Sequence, residues 1–207
     1  MSTRAVASFS ASGSLLGNQY QALALQNATD FGLTDHYVGT MKGVILGIAP
    51  DAQIVDITHE IAPHDIRAAS LVLAACCDDF PLETVFAVVV DPGVGSSRRA
   101  IAVRSKERLF VAPDNGVLSP VLVDGEYHAF EITNQRYFGS RRSSTFHGRD
   151  IFGPVAAYIS LGVPLLELGP QLAGDHEAGG ELAERGVDLD RQALSRVVIH
   201  DVQGSEP

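Results

Sequence analysis

Apolar runs and stretches of helical spacing alternate along the first half of the chain. Runs at residues 22–29, 53–57 and 85–90 are short and largely apolar, and are predicted to be strands, the last two of them buried. Stretches at 34–49 and 65–77 repeat apolar residues three and four apart, which predicts helices. This alternation predicts an α/β fold with a mostly parallel sheet, built from βαβ units and flanked by helices.

The limits of these two helices follow from their capping residues. Thr34 is predicted to cap the first helix, and Pro50 to stop it. Asp65 is predicted to cap the second helix. Side chains of these types accept hydrogen bonds from the free N–H groups of the first helical turn.

The second half of the chain has fewer signals. Residues 101–103 and 109–111 are predicted to be two strands joined by a turn, and 127–132 alternates like a further strand. Residues 113–116 read Pro-Asp-Asn-Gly, a strong turn signal. Residues 151–161 have helical spacing again.

The chain is predicted to have three parts. Residues 1–21 are rich in Ser, Ala and Gly without the order of a signal peptide, which predicts a loose leader. Residues 22–169 are predicted to form one α/β domain. Residues 170–207 are predicted to be a linker followed by one strand, at 196–201, that begins a second domain.

Composition narrows the class of protein. The 207 residues are 45% hydrophobic and 19% charged, which is ordinary for a globular protein. The formal net charge is −10, with no Lys/Arg stripe, so nucleic acid is not an expected partner. No stretch approaches the ~20 apolar residues of a membrane span. Cys76 and Cys77 are adjacent within an apolar stretch and are predicted core residues, which favours a reducing compartment and a cytoplasmic protein.

The loop after the third predicted strand is the first candidate site. Asp91 follows the apolar run directly, at the edge where α/β sheets bind ligands. Pro92, Gly93 and Gly95 make a tight loop, and Arg98 returns as a cation seven residues after the acid. The pair is interpreted equally well as part of a site or as an ion pair that closes a turn.

Other polar residues lie at the same predicted edge. Asp30 and Asp56 are placed at strand ends, where a carboxylate can bind a sugar diol or a metal; Asp56 is interpreted as a cap or turn residue. His147 lies just before a predicted helix, where it could shuttle a proton. These residues leave two classes open: a hydrolase or transferase using Asp, Arg and His, or a metal-dependent hydrolase with Asp30, Asp91 and His147 as ligands.

An ordered set of motifs narrows the choice. The chain resembles the S-adenosyl-L-methionine (SAM) hydroxide adenosyltransferases, or SAM hydrolases, whose halide-using relatives are the fluorinases and chlorinases. The resemblance extends from about Ala22 to Gly169. Each motif is weak alone, but together they are specific: Thr29-Asp30-Phe31-Gly32-Leu33, Met41-Lys42-Gly43, Asp91-Pro92-Gly93-Val94-Gly95, Pro113-Asp114-Asn115-Gly116 and Phe146-His147-Gly148-Arg149-Asp150.

The resemblance implies a reaction and its residues. It implies a catalytic triad of Asp91, Arg98 and His147, attack of a water-derived nucleophile on the 5′ carbon of SAM, and release of L-methionine and adenosine. It implies SAM as substrate, with no metal and no cofactor. It further implies that Asp30 binds both ribose hydroxyls, that Phe146 lines the pocket, and that His64 stacks on the substrate. Asp35 is expected near the ribose loop, where capping of the helix start is the competing role.

Three alternatives accompany this resemblance, and the first is a SAM-dependent halogenase. Halide-using relatives replace the triad acid and His and have a hydroxyl residue at the position of Gly148, whereas this chain keeps Asp91, His147 and Gly148. Water is therefore the expected nucleophile. The family continues into a C-terminal β-barrel domain and assembles as trimers, so residues 170–207 are expected to hold only the start of that barrel. An inactive or SAM-binding fragment is the second alternative, and a metal-dependent hydrolase the third.

Overall fold

A computed structural model describes residues 25–122 and 126–172. One six-stranded sheet, in the order β2-β1-β3-β5-β4-β6, carries helices on both faces. A π-helical turn, Gly148–Phe152, leads directly into the last helix. The elements are β1 Leu25–Thr29, α1 Tyr37–Ile48, β2 Ile54–Thr58, α2 Ile66–Cys76, β3 Val85–Val89, β4 Ala100–Ser105, β5 Arg108–Pro113, α3 Ser119–Leu122, β6 Tyr127–Glu131 and α4 Gly153–Ser160.

The pairing of the strands confirms the predicted α/β class. β1 pairs in parallel with both β2 and β3, and β3 pairs in parallel with β5. β4 lies between β5 and β6 and is antiparallel to both, so the sheet is mixed, with a parallel half and an antiparallel half. The predicted start of a C-terminal barrel falls on residues outside the described part, as does the leader at 1–21. The domain limits therefore stay predictions.

The central strand β3 separates two hydrophobic cores. Phe86 and Val88 face a core that includes Leu73 of α2, while Val85 and Ala87 face a core that includes Ile45 of α1. All five residues of β3 are buried, because both faces of a central parallel strand are covered. The continuous apolar run therefore predicted this strand correctly.

One of the two predicted helix caps is confirmed. Asp65 accepts a hydrogen bond from the backbone N–H of Ala68 at 2.8 Å and caps α2. The prediction for Thr34 was wrong, because α1 begins three residues later, at Tyr37. Asp35 makes the contact at the helix start instead: its Oδ1 accepts from the N–H of Tyr37 at 3.0 Å. A carboxylate two residues before a free N–H forms this local turn readily, and the helix therefore begins at Tyr37.

The second predicted strand is not buried. Among the described strands, β2 lies at the edge of the sheet and pairs with β1, and Val55 is 46% exposed. A short apolar run does not reveal whether both faces of the strand are covered, so the prediction of burial was wrong. Asp56 lies within this strand rather than at its end, and it binds Lys42 and His59 rather than capping a helix.

The predicted core position of the two adjacent cysteines is confirmed for one of them. Cys77 is buried, as predicted, Cys76 is half-buried, and both are free thiols. Burial raises the pKa of Cys76 to about 11, so this thiol is inert near neutral pH. Within the described residues, no helix is both long and apolar enough to cross a bilayer.

Candidate active site

The loop after β3 carries a buried ion pair. The Asp91 side chain is 5% exposed and the Arg98 side chain 10% exposed, and Nη2 of the arginine donates to Oδ2 of the aspartate. The loop is held by local bonds: the Ser96 hydroxyl donates to the carbonyl of Gly93 at 2.7 Å and accepts from the N–H of Arg98 at 3.2 Å. Two oppositely charged groups are thus fixed at the carboxyl edge of the parallel strands.

Arg98 is held on two further sides. Its Nη1 donates to the carbonyl of Arg99. Its guanidinium carbon lies 5.4 Å from the ring centre of Phe152, a fully buried residue of the π-helical turn. Ion pair, carbonyl and ring together restrict the arginine to one orientation, which a catalytic cation requires.

Gly95 brings this loop against the segment that leads to His147. Its φ is +78°, and a Cβ placed there would lie 2.6 Å from the carbonyl oxygen of Ser144. A side chain would meet both a disfavoured backbone conformation and a backbone atom. Glycine is therefore required for the contact between the two loops.

Substitution of Gly95 tests this close approach. We expect Gly95→Ala to lower the free energy of unfolding by at least about 1–2 kcal/mol, the cost of a left-handed conformation, with the clash in addition. Gly47→Ala is the matched control, because Gly47 lies in α1 and nothing stands within 4 Å of its Cβ position. The control should be neutral or stabilising by about 0.5–1 kcal/mol. Urea denaturation of both variants measures the difference, and equal stabilities would refute the required contact.

His147 lies beside the ion pair, at the start of the π-helical turn. Burial lowers its pKa below the ordinary value of 6.5, and the positive charge of Arg98 lowers it further. The carboxylates of Asp91 and Asp150 act in the opposite direction and do not cancel the shift. The three predicted catalytic residues are thus close enough to act on one another's charges, and the imidazole is neutral at neutral pH.

Each of these three residues has a buried polar atom with no hydrogen-bond partner among the described residues. The atoms are Oδ1 of Asp91, Nε of Arg98 and Nδ1 of His147. Buried polar groups are satisfied in more than about 90% of cases. The described residues have six buried side-chain atoms without a partner, and the concentration of three of them in one site points to a ligand. Together the atoms offer a negative acceptor, a positive donor and a neutral imidazole nitrogen. This set suits a small polar molecule that both donates and accepts hydrogen bonds.

Three of the predicted substrate residues lie in the loops that follow β1 and β2. Asp30 follows β1 directly, and its Oδ2 accepts from the backbone N–H of His64 at 2.9 Å, so the structure brings these two together. His64 has φ +67° and is exposed. Asp35 is also exposed, and its contact with Tyr37 is the capping role that competed with ribose binding.

Phe146 is buried within an aromatic cluster. Its ring packs edge-on against Tyr37 at 4.8 Å and Phe31 at 5.8 Å between centres. The neighbouring Gly148 makes room for this cluster, because a Cβ there would lie 2.9 Å from Cζ of Phe31. The cluster connects the loop after β1 to the segment that carries His147.

The residues after His147 hold this segment in place, and the sequence did not single them out. Asp150 is 3% exposed and accepts from Nε of Arg149 at 2.5 Å, Nη2 of Arg149 at 2.9 Å and the N–H of Ser143 at 2.6 Å. The guanidinium carbon of Arg149 lies 4.9 Å from the ring centre of Phe146. The adjacent opposite charges of Arg149 and Asp150, beside a candidate histidine, were the sequence signal that could have identified these contacts.

Asn115 is a second supporting residue that the sequence did not identify. Its Nδ2 donates to the carbonyl of Val90 at 2.9 Å, directly before Asp91, and its Oδ1 accepts from the N–H of Val117 at 3.2 Å. The sequence showed a turn signal and a family motif at this position, but no role for the Asn115 side chain. The side chain also ties the turn to the end of β3.

The metal-site interpretation is not supported by the side-chain positions. In the two described ranges, no group of three or more His, Cys, Asp or Glu side chains could hold a metal ion. Asp30 is bound to the backbone of His64, and Asp91 to Arg98.

Two cavities, of about 320 and 280 Å³, lie away from Asp91, Arg98 and His147. The one of about 320 Å³ opens beside Glu83 and Leu109, near the amino ends of β3 and β5.

The fold and site define an α/β protein with an Asp-Arg-His cluster at the carboxyl edge of its sheet. The family model of the SAM hydroxide adenosyltransferase N-terminal domain matches residues 25–169. The chain therefore belongs to the SAM hydroxide adenosyltransferase family.

Three known proteins illustrate the similarity. The chain is 46% identical over 144 residues to an (R)-S-adenosyl-L-methionine hydrolase of Salinispora arenicola, covering 69% of this chain and 55% of the relative. It is 29% identical over 171 residues to a fluorinase of an Actinoplanes species, covering 71% and 57%. A crystal structure of a conserved Thermotoga maritima protein matches with a TM-score of 0.70 and 48% identity, covering 75% and 60%. The chain thus spans little more than half the length of the curated relatives it matches.

Proposed function

We propose that the protein hydrolyses SAM to adenosine and L-methionine by attack of water on the 5′ carbon. The observation that carries this proposal is the set of partnerless buried atoms on Asp91, Arg98 and His147. Family membership and the similarity to proteins named (R)-S-adenosyl-L-methionine hydrolase support the choice of substrate.

The chemistry requires little more than a well-placed nucleophile. An oxygen–carbon bond forms at the 5′ carbon as the carbon–sulfur bond breaks, and its electron pair stays on sulfur. The sulfonium becomes the neutral thioether of methionine, so the leaving group needs no proton. The proton lost by the water passes to a base. In-line positioning of such a nucleophile can contribute ~7–11 kcal/mol.

The three residues have distinct roles in this proposal. Arg98 donates to the water through Nε and favours its hydroxide character by charge. His147 accepts the proton, because burial and Arg98 lower its pKa and leave the imidazole neutral at neutral pH. Asp91 holds Arg98 through Oδ2 and offers Oδ1 to the same water.

The remaining predicted residues bind substrate in this proposal. Asp30 binds the ribose diol, since a carboxylate accepts two O–H donors. Phe146 lines the ribose side of the pocket, and His64, held against Asp30, stacks on the substrate. Asp35 helps position the ribose loop in this proposal, through its contact with the N–H of Tyr37 at the helix start. The reaction is proposed to need no metal and no cofactor.

The lowered pKa of His147 predicts a pH dependence. The acid limb of kcat/KM, which reports the base of the free enzyme, should have an apparent pKa below 6.5. A folded-state pKa below the unfolded value contributes stability above the unfolded pKa that is lost as pH falls through the folded one. The unfolding free energy of the parent should therefore fall more than that of His147→Gln as pH drops from about 7.5 to about 5. An acid limb with an apparent pKa at or above 6.5 would contradict the assignment of His147 as the base. Unfolding free energies that fall equally with pH in the parent and in His147→Gln would contradict it as well.

A halide nucleophile is the alternative that the fluorinase similarity raises. The Asp91 carboxylate, whose Oδ1 has no hydrogen-bond partner among the described residues, would repel a halide. Gly148 offers no hydroxyl, and a side chain there would collide with Phe31. Both observations favour water.

Product analysis tests the proposed function. The protein is incubated with SAM and excess chloride, with and without a chelator, and products are separated by liquid chromatography and mass spectrometry. Adenosine and methionine, unaffected by chelator, are expected. Preferential formation of 5′-chloro-5′-deoxyadenosine would assign a halogenase, loss of product with chelator would assign a metal enzyme, and absence of product would refute an activity carried by these 207 residues.

Assembly and compartment complete the proposal. The family resemblance supports a homotrimer in which a C-terminal domain completes the site, and sedimentation measures the mass of the assembly. The two free cysteines support a reducing, cytoplasmic compartment.

A further inference from the structure

A line of polar contacts runs from the surface of the protein to the loop after β1. Nζ of Lys42 lies 2.5 Å from Oδ2 of Asp56, and Oδ1 of Asp56 lies 3.1 Å from Nε2 of His59. Nδ1 of the same histidine lies 2.8 Å from Oγ1 of Thr29. That hydroxyl oxygen in turn accepts from the backbone N–H of Phe31 at 3.2 Å.

The donor and acceptor properties of these groups determine which atom donates in each contact. The Asp56 carboxylate favours an N–H on the His59 Nε2 that faces it at 3.1 Å, although the contact lacks the alignment of a hydrogen bond. Nδ1 is then an acceptor, and the Thr29 hydroxyl donates to it. The lone pairs of the hydroxyl remain available to the N–H of Phe31. Burial raises the pKa of Asp56, but the Lys42 ammonium bound to it and the nearby His59 outweigh burial and lower that pKa, which keeps the carboxylate ionised.

The line of contacts holds the side chain of the residue before Asp30 and the backbone N–H of the residue after it. Thr29 precedes that aspartate and Phe31 follows it, and both are bound through the one hydroxyl. The carbonyl of His59 also accepts from the N–H of Gly32 at 2.8 Å. His59 is 3% exposed and Thr29 is fully buried, so water does not compete for these bonds.

We propose that Thr29, His59 and Asp56 are positioning residues for ribose recognition by Asp30. This inference rests on the proposed function, because it takes Asp30 as the group that binds the ribose diol. The Asp30 carboxylate is held on its other side by the N–H of His64, so its direction is set from two sides.

The test compares two ligands that differ only in the diol. Adenosine and 2′,3′-dideoxyadenosine are titrated calorimetrically into the parent, Thr29→Val and Thr29→Ser. Valine keeps the shape of threonine and removes the hydroxyl, while serine keeps the hydroxyl. Thr29→Val should weaken adenosine binding roughly tenfold, the size of coupling between neighbouring groups, and dideoxyadenosine binding less than about twofold. Thr29→Ser should bind both ligands like the parent.

Further variants separate positioning from folding. Asp56→Asn changes an exposed residue and should show the same selective loss to a smaller extent. Arg104→Gln, which breaks surface ion pairs with Glu83 and Glu107 near the amino end of β3, should bind like the parent. Thermal denaturation of each variant measures its fold.

The outcomes distinguish this inference from the proposed function. Equal weakening of both ligands by Thr29→Val, or no weakening of either, would overturn the positioning role while SAM hydrolysis stands. A Thr29→Val protein that does not fold leaves the decision to Asp56→Asn, whose unselective binding would overturn the role equally. A parent that binds neither nucleoside and does not hydrolyse SAM would overturn the proposed function, and this inference with it.

Discussion

Replacing Arg98 by methionine should lower kcat for SAM hydrolysis by about 10²–10³-fold, the usual effect of removing one preorganised donor from an active site. Methionine keeps much of the length and packing against Phe152 but provides neither charge nor N–H groups. The expected loss lies in kcat rather than KM, because the arginine acts on the nucleophile and not on the bound nucleoside. Steady-state kinetics with SAM measure both constants.

Two control variants refine this prediction. Arg98→Lys keeps the charge but not the planar fork, so it should recover only part of the activity. Arg104→Gln removes an arginine far from the site and should leave both constants unchanged. Parent-like kcat in Arg98→Met would show that the arginine is only the structural half of an ion pair.

Replacing Asp91 by asparagine should destabilise the fold strongly. The side chains of the pair are 5% and 10% exposed, so neutralising one partner leaves a buried charge uncompensated. Such a change costs about 3–5 kcal/mol of unfolding free energy. Urea denaturation measures the loss, and circular dichroism verifies that the variant folds before denaturant is added.

A double substitution identifies the cause of that loss. In Asp91→Asn combined with Arg98→Met, neither charge of this pair remains, and the protein should regain most of the stability lost by the single variant. Activity should stay low, because the site has lost both groups. Additive destabilisation by the two substitutions would contradict an electrostatic origin of the effect.

The sequence predicted the centre of the fold better than its edges. β3 is buried on both faces, and its continuous run of Val, Phe and Ala therefore revealed it. β2 has a similar apolar run, but whether a strand lies at the centre or the edge of a sheet depends on pairing order, which a local pattern does not contain. The start of α1 was displaced because Asp35, and not Thr34, satisfies the first N–H.

The candidate site was predicted where its residues are joined by short stretches of chain. Asp91 and Arg98 share one loop, and the motif around His147 marks the third residue. The supporting contacts were not predictable in this way. Thr29 and His59 are 30 positions apart, and Asn115 and Val90 are 25 apart, so only the folded sheet brings them together.

The π-helical turn after His147 is a further feature that periodicity could not show. A helix was predicted from residue 151, whereas the turn begins at Gly148 and α4 at Gly153. A Cβ at Gly153 would lie 2.9 Å from the carbonyl oxygen of Gly148, so glycine at this position accommodates the wider turn. Apolar spacing records which face is buried, and it does not record one extra residue in a turn.

Hydrolysis of SAM in H₂¹⁸O tests the central claim most directly, namely that Asp91, Arg98 and His147 direct a water to the 5′ carbon. One ¹⁸O atom is expected in the 5′ hydroxyl of adenosine and none in methionine, and Arg98→Met should form the same labelled adenosine about 10²–10³-fold more slowly. Label in the amino-acid product, or unlabelled adenosine from the parent, would contradict it, because a different bond would then have been broken.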